Sequence, residues 1–144
     1  MRVNGSPPPD VVARLIDEAT TARAHAYTPY SGFAVGAALR TGDGATFSGA
    51  NVENASYGLT VCAERVAVFN AVASGARTID TIAVVTDTPQ PTPPCGACRQ
   101  VLREFVGKNG DMTVILSNLQ GIIERTTLDV LLPRSFGPKS LGDL

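Results

Sequence analysis

The 144-residue chain holds three cysteines and a single histidine. A closed structural zinc site wants four Cys or His ligands. The cysteines cannot supply four. His25 falls on the first expected helix, where a charge near a helix C-terminus accounts for it. An odd cysteine count also argues against a disulfide framework and points to metal or catalysis. No run of Lys or Arg occurs and the net charge is -1. Neither a duplex-coating protein nor a membrane-surface protein fits, because phosphate binding needs a basic patch. No stretch reaches the roughly 18 apolar residues of a membrane span. Residues 1–9 carry no apolar signal-peptide core. They read as a flexible lead-in, and the expected compartment is the cytoplasm.

What is present suits one compact domain. Hydrophobic residues make up 44% and charged residues 17%, a globular balance. Asp10 is placed to cap a helix in which Val12, Leu15, Ile16, Ala19 and Ala26 keep a helical period. Residues 28–32 end it, and 33–40 read as a strand. Gly42-Asp43-Gly44 turns the chain into a return strand at 46–49. Residues 51–60 read as a polar loop. Residues 62–74 form a helix apolar nearly all round and hence buried, with Gly75 at its C-terminal cap. The near-continuous apolar run 79–86 reads as a central strand covered on both faces. Four prolines make 87–94 a loop. A third helix spans 95–106, stopped by Gly107. Strands follow at 112–116 and 122–126, and one helical turn at 128–132. The order α-β-β-α-β-α-β-β implies an α/β fold: helices on both faces of one mixed sheet of about five strands.

Two short motifs carry the chemistry. Pro93-Pro94-Cys95-Gly96-Ala97-Cys98 sets two cysteines in C-x-x-C spacing at a helix start, where one metal ion can be held. Cys62 opens another helix, and helix N-termini stabilise thiolates. Three thiolates leave a fourth position open, as in catalytic zinc sites. Water there is acidified, and Glu64 is near enough to accept its proton. Positions i and i+2 of an ideal helix point about 200° apart, so Cys62 must be non-helical for both to face one point. Arg65 would donate hydrogen bonds to the thiolates and offset their charge. Alone, C-x-x-C is also the mark of a thioredoxin-like redox pair. That reading expects the pair directly after a strand and has little use for Cys62.

At these residues the chain resembles the cytidine deaminase family, in its small three-cysteine, homotetrameric branch. The likeness runs from about residue 10 to 136. It rests on Tyr30-Ser31-Gly32-Phe33-Ala34-Val35-Gly36-Ala37-Ala38, Asn51-Val52-Glu53-Asn54-Ala55-Ser56-Tyr57-Gly58, Cys62-Ala63-Glu64-Arg65 and Pro94-Cys95-Gly96-Ala97-Cys98-Arg99-Gln100. Leu131-Leu132-Pro133 followed by Phe136 also fits. Three cysteines, a non-ligating glutamate and P-C-x-x-C together are the pattern of zinc deaminases. The resemblance implies a three-layer α/β/α fold over a single domain at 10–136, with 137–144 as a tail. It implies one Zn2+ per chain on Cys62, Cys95 and Cys98, and Glu64 as proton shuttle. Asn51 and Glu53 would hold the sugar, Phe33 the pyrimidine ring, and the Ala63 N–H the pyrimidine carbonyl region. Phe136 and Tyr57 would reach between subunits of a homotetramer with shared sites. The implied reaction is hydrolytic deamination of cytidine and deoxycytidine to uridine and deoxyuridine, a pyrimidine-salvage step.

The nearest alternative is a deaminase of a related nucleoside, such as blasticidin S or a modified cytidine, on the same zinc machinery. A polynucleotide-editing deaminase fits the charge less well. A non-catalytic zinc-stabilised binding module is the reading from another class, and Glu64 beside an open coordination site stands against it.

Overall fold

The computed structural model describes residues 6–108 and 110–142. Five strands form one sheet in the order β2-β1-β3-β4-β5. They are β1 (Val35–Thr41), β2 (Thr46–Ala50), β3 (Ile79–Thr86), β4 (Thr113–Asn118) and β5 (Ile123–Thr127). Strands β3 and β4 run parallel, and the other neighbouring pairs are antiparallel. The mixed sheet follows from connection length: short turns join β1 to β2 and β4 to β5, whereas β3 reaches β4 through a helix.

Helix α1 (Pro9–Arg23) covers one face, where Val12, Leu15 and Ala19 meet Ala38, Ala83, Val85 and Ile115. Helices α2 (Ala63–Ala73), α3 (Gly96–Arg103) and the short α4 (Leu128–Leu131) lie on the other. There Ala67, Val68, Leu102 and Leu128 pack on Leu39, Ile82, Val84 and Val114. Strand β3 is buried along nearly its whole length, as its apolar run requires.

Both hairpin strands spend a glycine on close helix packing. A Cβ on Gly36 would stand 1.9 Å from the Ala19 carbonyl oxygen of α1. One on Gly49 would stand 2.6 Å from the Ala67 nitrogen of α2. The sheet thus holds a helix against its backbone on each side.

Several boundaries depart from the sequence reading, each for a local reason. Asp10 does not cap α1. Pro8 occupies that position and Pro9 begins the helix, where a missing N–H costs nothing. The helix ends at Arg23, short of Ala26, and the Arg23 Nε donates to the Ala34 carbonyl at 3.0 Å. Strand β1 begins at Val35 rather than Phe33, because the Asn51 side chain takes the place of a strand partner. Its Oδ1 accepts the Val35 N–H at 2.9 Å and its Nδ2 donates to the Phe33 carbonyl at 2.7 Å. Helix α2 is not buried all round: Phe69 is 50% exposed. Helix α3 stops at Arg103 instead of running to Val106. The Phe105 carbonyl accepts the Ile79 N–H at 2.8 Å, so the chain leaves the helix to pair beside β3. Of the expected lead-in and tail, residues 1–5, 143 and 144 lie outside the described residues. Pro7 is buried, and Pro138–Leu141 forms a 3-10 turn.

Candidate metal and deamination site

Two helix starts meet beside the end of β3. Cys62 precedes α2 with φ -70° and ψ 154°, and Cys95 precedes α3 with φ -68° and ψ 169°. Both are extended rather than helical. That frees Cys62 and Glu64 from the opposed directions an unbroken helix would impose. Cys98 sits one turn into α3 and is buried.

The sulfurs of Cys62, Cys95 and Cys98 lie within 4.8 Å of one another. Cys62 Sγ is 3.9 Å from Cys95 Sγ, which is 3.5 Å from Cys98 Sγ. A tetrahedral zinc with Zn–S bonds of about 2.3 Å spaces its sulfurs by about 3.8 Å, so the donor set fits that ion. Among the described residues no fourth Cys, His, Asp or Glu joins the group. His25 is exposed and stands outside it.

Arg65 lies over the thiols. Its guanidinium NH2 group donates to Cys62 Sγ at 3.4 Å, and its Nε is buried without a hydrogen-bond partner. The hydrogen bond from Cys98, with Arg65 beside it, brings the Cys62 thiol down to about 5. Cys98 is pushed up by the same pairing and by burial. One negative charge is therefore favoured on the Cys62 side, next to the cation. Glu64 is 5% exposed. Burial raises its carboxyl to about 7, and the charge on Cys62 adds to the rise.

These groups open on a cavity of about 210 Å³, lined by Phe33, Asn51, Cys62, Ala63, Glu64 and Cys95 among others. The structure thus brings together eight of the expected residues: these six with Cys98 and Arg65 behind them. The wall also contains Val35, Thr60, Val84, Thr86, Thr92 and Pro93, which sequence reasoning did not single out. For Val84, Thr86 and Thr92 the available signal was position, at the end of a buried strand and just ahead of C-x-x-C.

A second hollow adjoins the first at Thr60, which lines both. It holds Tyr30, Ser31, Glu53 and Tyr57. The Glu53 carboxylate accepts the Ser31 hydroxyl and the N–H groups of Tyr30, at 3.0 Å, and Ser31, at 3.2 Å. Tyr57 is exposed and meets the Tyr30 ring edge-on at 5.8 Å. Phe136 is 61% exposed and lines neither hollow. Its carbonyl accepts from Gln100 Nε2 at 2.9 Å.

The Ser31 hydroxyl, ahead of the backbone amides, holds the Glu53 carboxyl below its ordinary 4.5. A depressed carboxyl stabilises the fold above its ordinary pKa and loses that contribution as pH falls through the folded value. Ser31→Ala is therefore expected to move the Glu53 titration back up toward 4.5. Carbon-detected NMR of the side-chain carboxyl reads this directly, and an unmoved titration would show that the hydroxyl does not set it.

Three thiols converging beside a buried carboxylate, with two of them on the wall of its cavity, lay out a metal-assisted hydrolase rather than a closed structural knuckle. The sequence pattern of the cytidine and deoxycytidylate deaminase zinc-binding region matches residues 10–113. The chain belongs to that family. It is 54% identical over 129 residues to a cytidine deaminase of Halalkalibacterium halodurans, covering 90% of this chain and 96% of the relative. It is 52% identical over 131 residues to a cytidine deaminase of Sporosarcina psychrophila, covering 91% and 95%. The crystal structure of the cytidine deaminase from Burkholderia pseudomallei superposes with a TM-score of 0.77 at 49% identity, covering 86% of this chain and 98% of that one.

Proposed function

We propose that residues 10–136 form a single domain that hydrolytically deaminates cytidine and deoxycytidine to uridine and deoxyuridine. The observation that carries this reading is the cluster of Cys62, Cys95 and Cys98 within 4.8 Å, on the cavity that Glu64 lines. The activity named for the relatives supports the choice of substrate.

The three cysteines would hold one zinc ion. When bound, zinc supplies the Lewis acidity that lowers the pKa of the attacking water. Arg65 offsets the negative charge that three thiolates accumulate. Glu64 takes a proton from the water and hands it to ring N3 while oxygen bonds to C4. Glu64 then carries the proton left on that oxygen to the 4-amino nitrogen as the C4–N bond breaks, so that C4 becomes the carbonyl of uridine and ammonia leaves. Burial suits Glu64 to this traffic, since a carboxyl near neutrality both accepts and releases protons.

Phe33 borders the ring and the N-terminal N–H of α2 at Ala63 faces its carbonyl region. Asn51 and Glu53 hold the sugar. Asn51 spends one Nδ2 hydrogen and one Oδ1 lone pair on the backbone. One of each remains, which matches a hydroxyl that both donates and accepts. The exposed Tyr57, Phe69 and Phe136 support a homotetramer in which neighbouring copies cover them and complete the pocket. Three unpaired thiols support a reducing, cytoplasmic setting, and the reaction is a salvage step for pyrimidine nucleosides. No helix among the described residues is long and apolar enough to cross a membrane.

The test is zinc content together with the ultraviolet absorbance of added cytidine and deoxycytidine. One zinc per chain and a steady absorbance loss to the uridine spectrum are expected. A zinc-loaded protein that leaves both spectra unchanged overturns the assignment.

A further inference from the structure

Residues 87–94 deliver Cys95 to the thiol cluster, and half of them are proline. Proline has no N–H, so this segment cannot anchor itself to the sheet by donating along its length. Its carbonyls and hydroxyls must be gripped by donors from elsewhere. Cys95 is itself exposed, so core packing does not fix it.

The grip comes from Asn118, the last residue of β4, which is 3% exposed. Its Nδ2 donates to the carbonyls of Thr88, at 2.9 Å, and Pro89, at 3.2 Å. Its Oδ1 accepts the N–H groups of Gln120, at 3.1 Å, and Ile122, at 2.9 Å. Two donors and two acceptors are the whole capacity of an amide, so this one is fully used. Thr88 continues the clamp. Its hydroxyl donates to the Gln90 carbonyl at 2.5 Å and lies 2.8 Å from the Thr86 hydroxyl and 3.2 Å from that of Thr92. Thr86 and Thr92 both line the Glu64 cavity. The far end of the segment is pinned separately, where Arg99 Nε donates to the Pro94 carbonyl at 2.7 Å.

We propose that Asn118 is a positioning residue for the metal site: through Thr88 and Pro89 it sets the proline-rich segment so that Cys95 meets Cys62 and Cys98. The proposal rests on the reading of these cysteines as metal ligands. Groups that orient metal ligands typically govern affinity by about 10- to 100-fold.

Asn118→Asp keeps the acceptor for the two turn amides but turns an oxygen toward two carbonyls. Thr88→Val removes the hydroxyl hub while leaving the carbonyl that Asn118 grips. Zinc transfer from the loaded protein to a chromophoric chelator is measured for both, beside thermal unfolding and the thiolate-to-metal absorption of the cobalt-substituted protein. Asn118→Asp is expected to release zinc about tenfold faster, with a shifted cobalt spectrum, and Thr88→Val to change both in the same direction. Wild-type release rates and cobalt spectra, with only the melting temperature lowered, overturn the proposal and leave Asn118 a structural residue. If Asn118→Asp does not fold, Asn118→Ala, which loses the grip on both carbonyls without adding a charge, decides by the same criteria. A wild-type chain that holds no zinc overturns the metal reading itself, and the proposal with it.

Discussion

Glu64→Gln is expected to fold, to carry one zinc per chain, and to lose about 10⁴-fold in kcat for cytidine, the upper end of what general acid–base catalysis supplies. The upper end applies because one carboxyl serves successive proton transfers. The side chain is 5% exposed, and the amide has the same shape without the charge, so burial costs it less than the ionised carboxylate. Gln reproduces the protonated carboxyl but can neither accept a proton nor give one up. Zinc content by atomic absorption separates this outcome from metal loss. A variant keeping a tenth or more of wild-type turnover would take the proton shuttle away from Glu64.

Cys95→Ala is expected to purify without zinc and to melt well below the wild type. Removing it leaves Cys62 and Cys98, two ligands where three would hold the ion. A ligand bound at about 1,000 times its Kd contributes about 4 kcal/mol to stability. For a chain of this size that amounts to roughly 10 °C in Tm. Strong chelator should bring the wild type down by a similar amount and leave the variant where it is. A variant with full zinc content would show that Cys95 is not a ligand.

Much of this architecture was legible because its signals are local. The apolar run of β3, the turn at 42–44 and the prolines at 89–94 each mark an element without help from the rest of the chain. The requirement that Cys62 be non-helical was a geometric deduction, and its extended backbone agrees. What was not legible came from groups meeting across the chain. Nothing near Phe33 shows that the side chain of Asn51 will start the strand two residues later. Nothing in 95–106 shows that Phe105 will abandon the helix for Ile79. Thr86, Thr92 and Asn118 belong to the same class, because a buried threonine or asparagine has no distinctive spacing. The exposure of Phe69 escaped a reading that inferred burial from an all-round apolar pattern.

The placement of the thiols also has a consequence for biosynthesis. Cys62 precedes Cys95 by 33 residues, and β4, which ends in Asn118, is translated later still. A nascent chain emerging N-terminus first would expose its first thiol long before the other two exist. If Asn118 positions Cys95 as proposed, firm capture of an ion would wait until β4 has left the ribosome, and metallation would belong to the closing stage of folding.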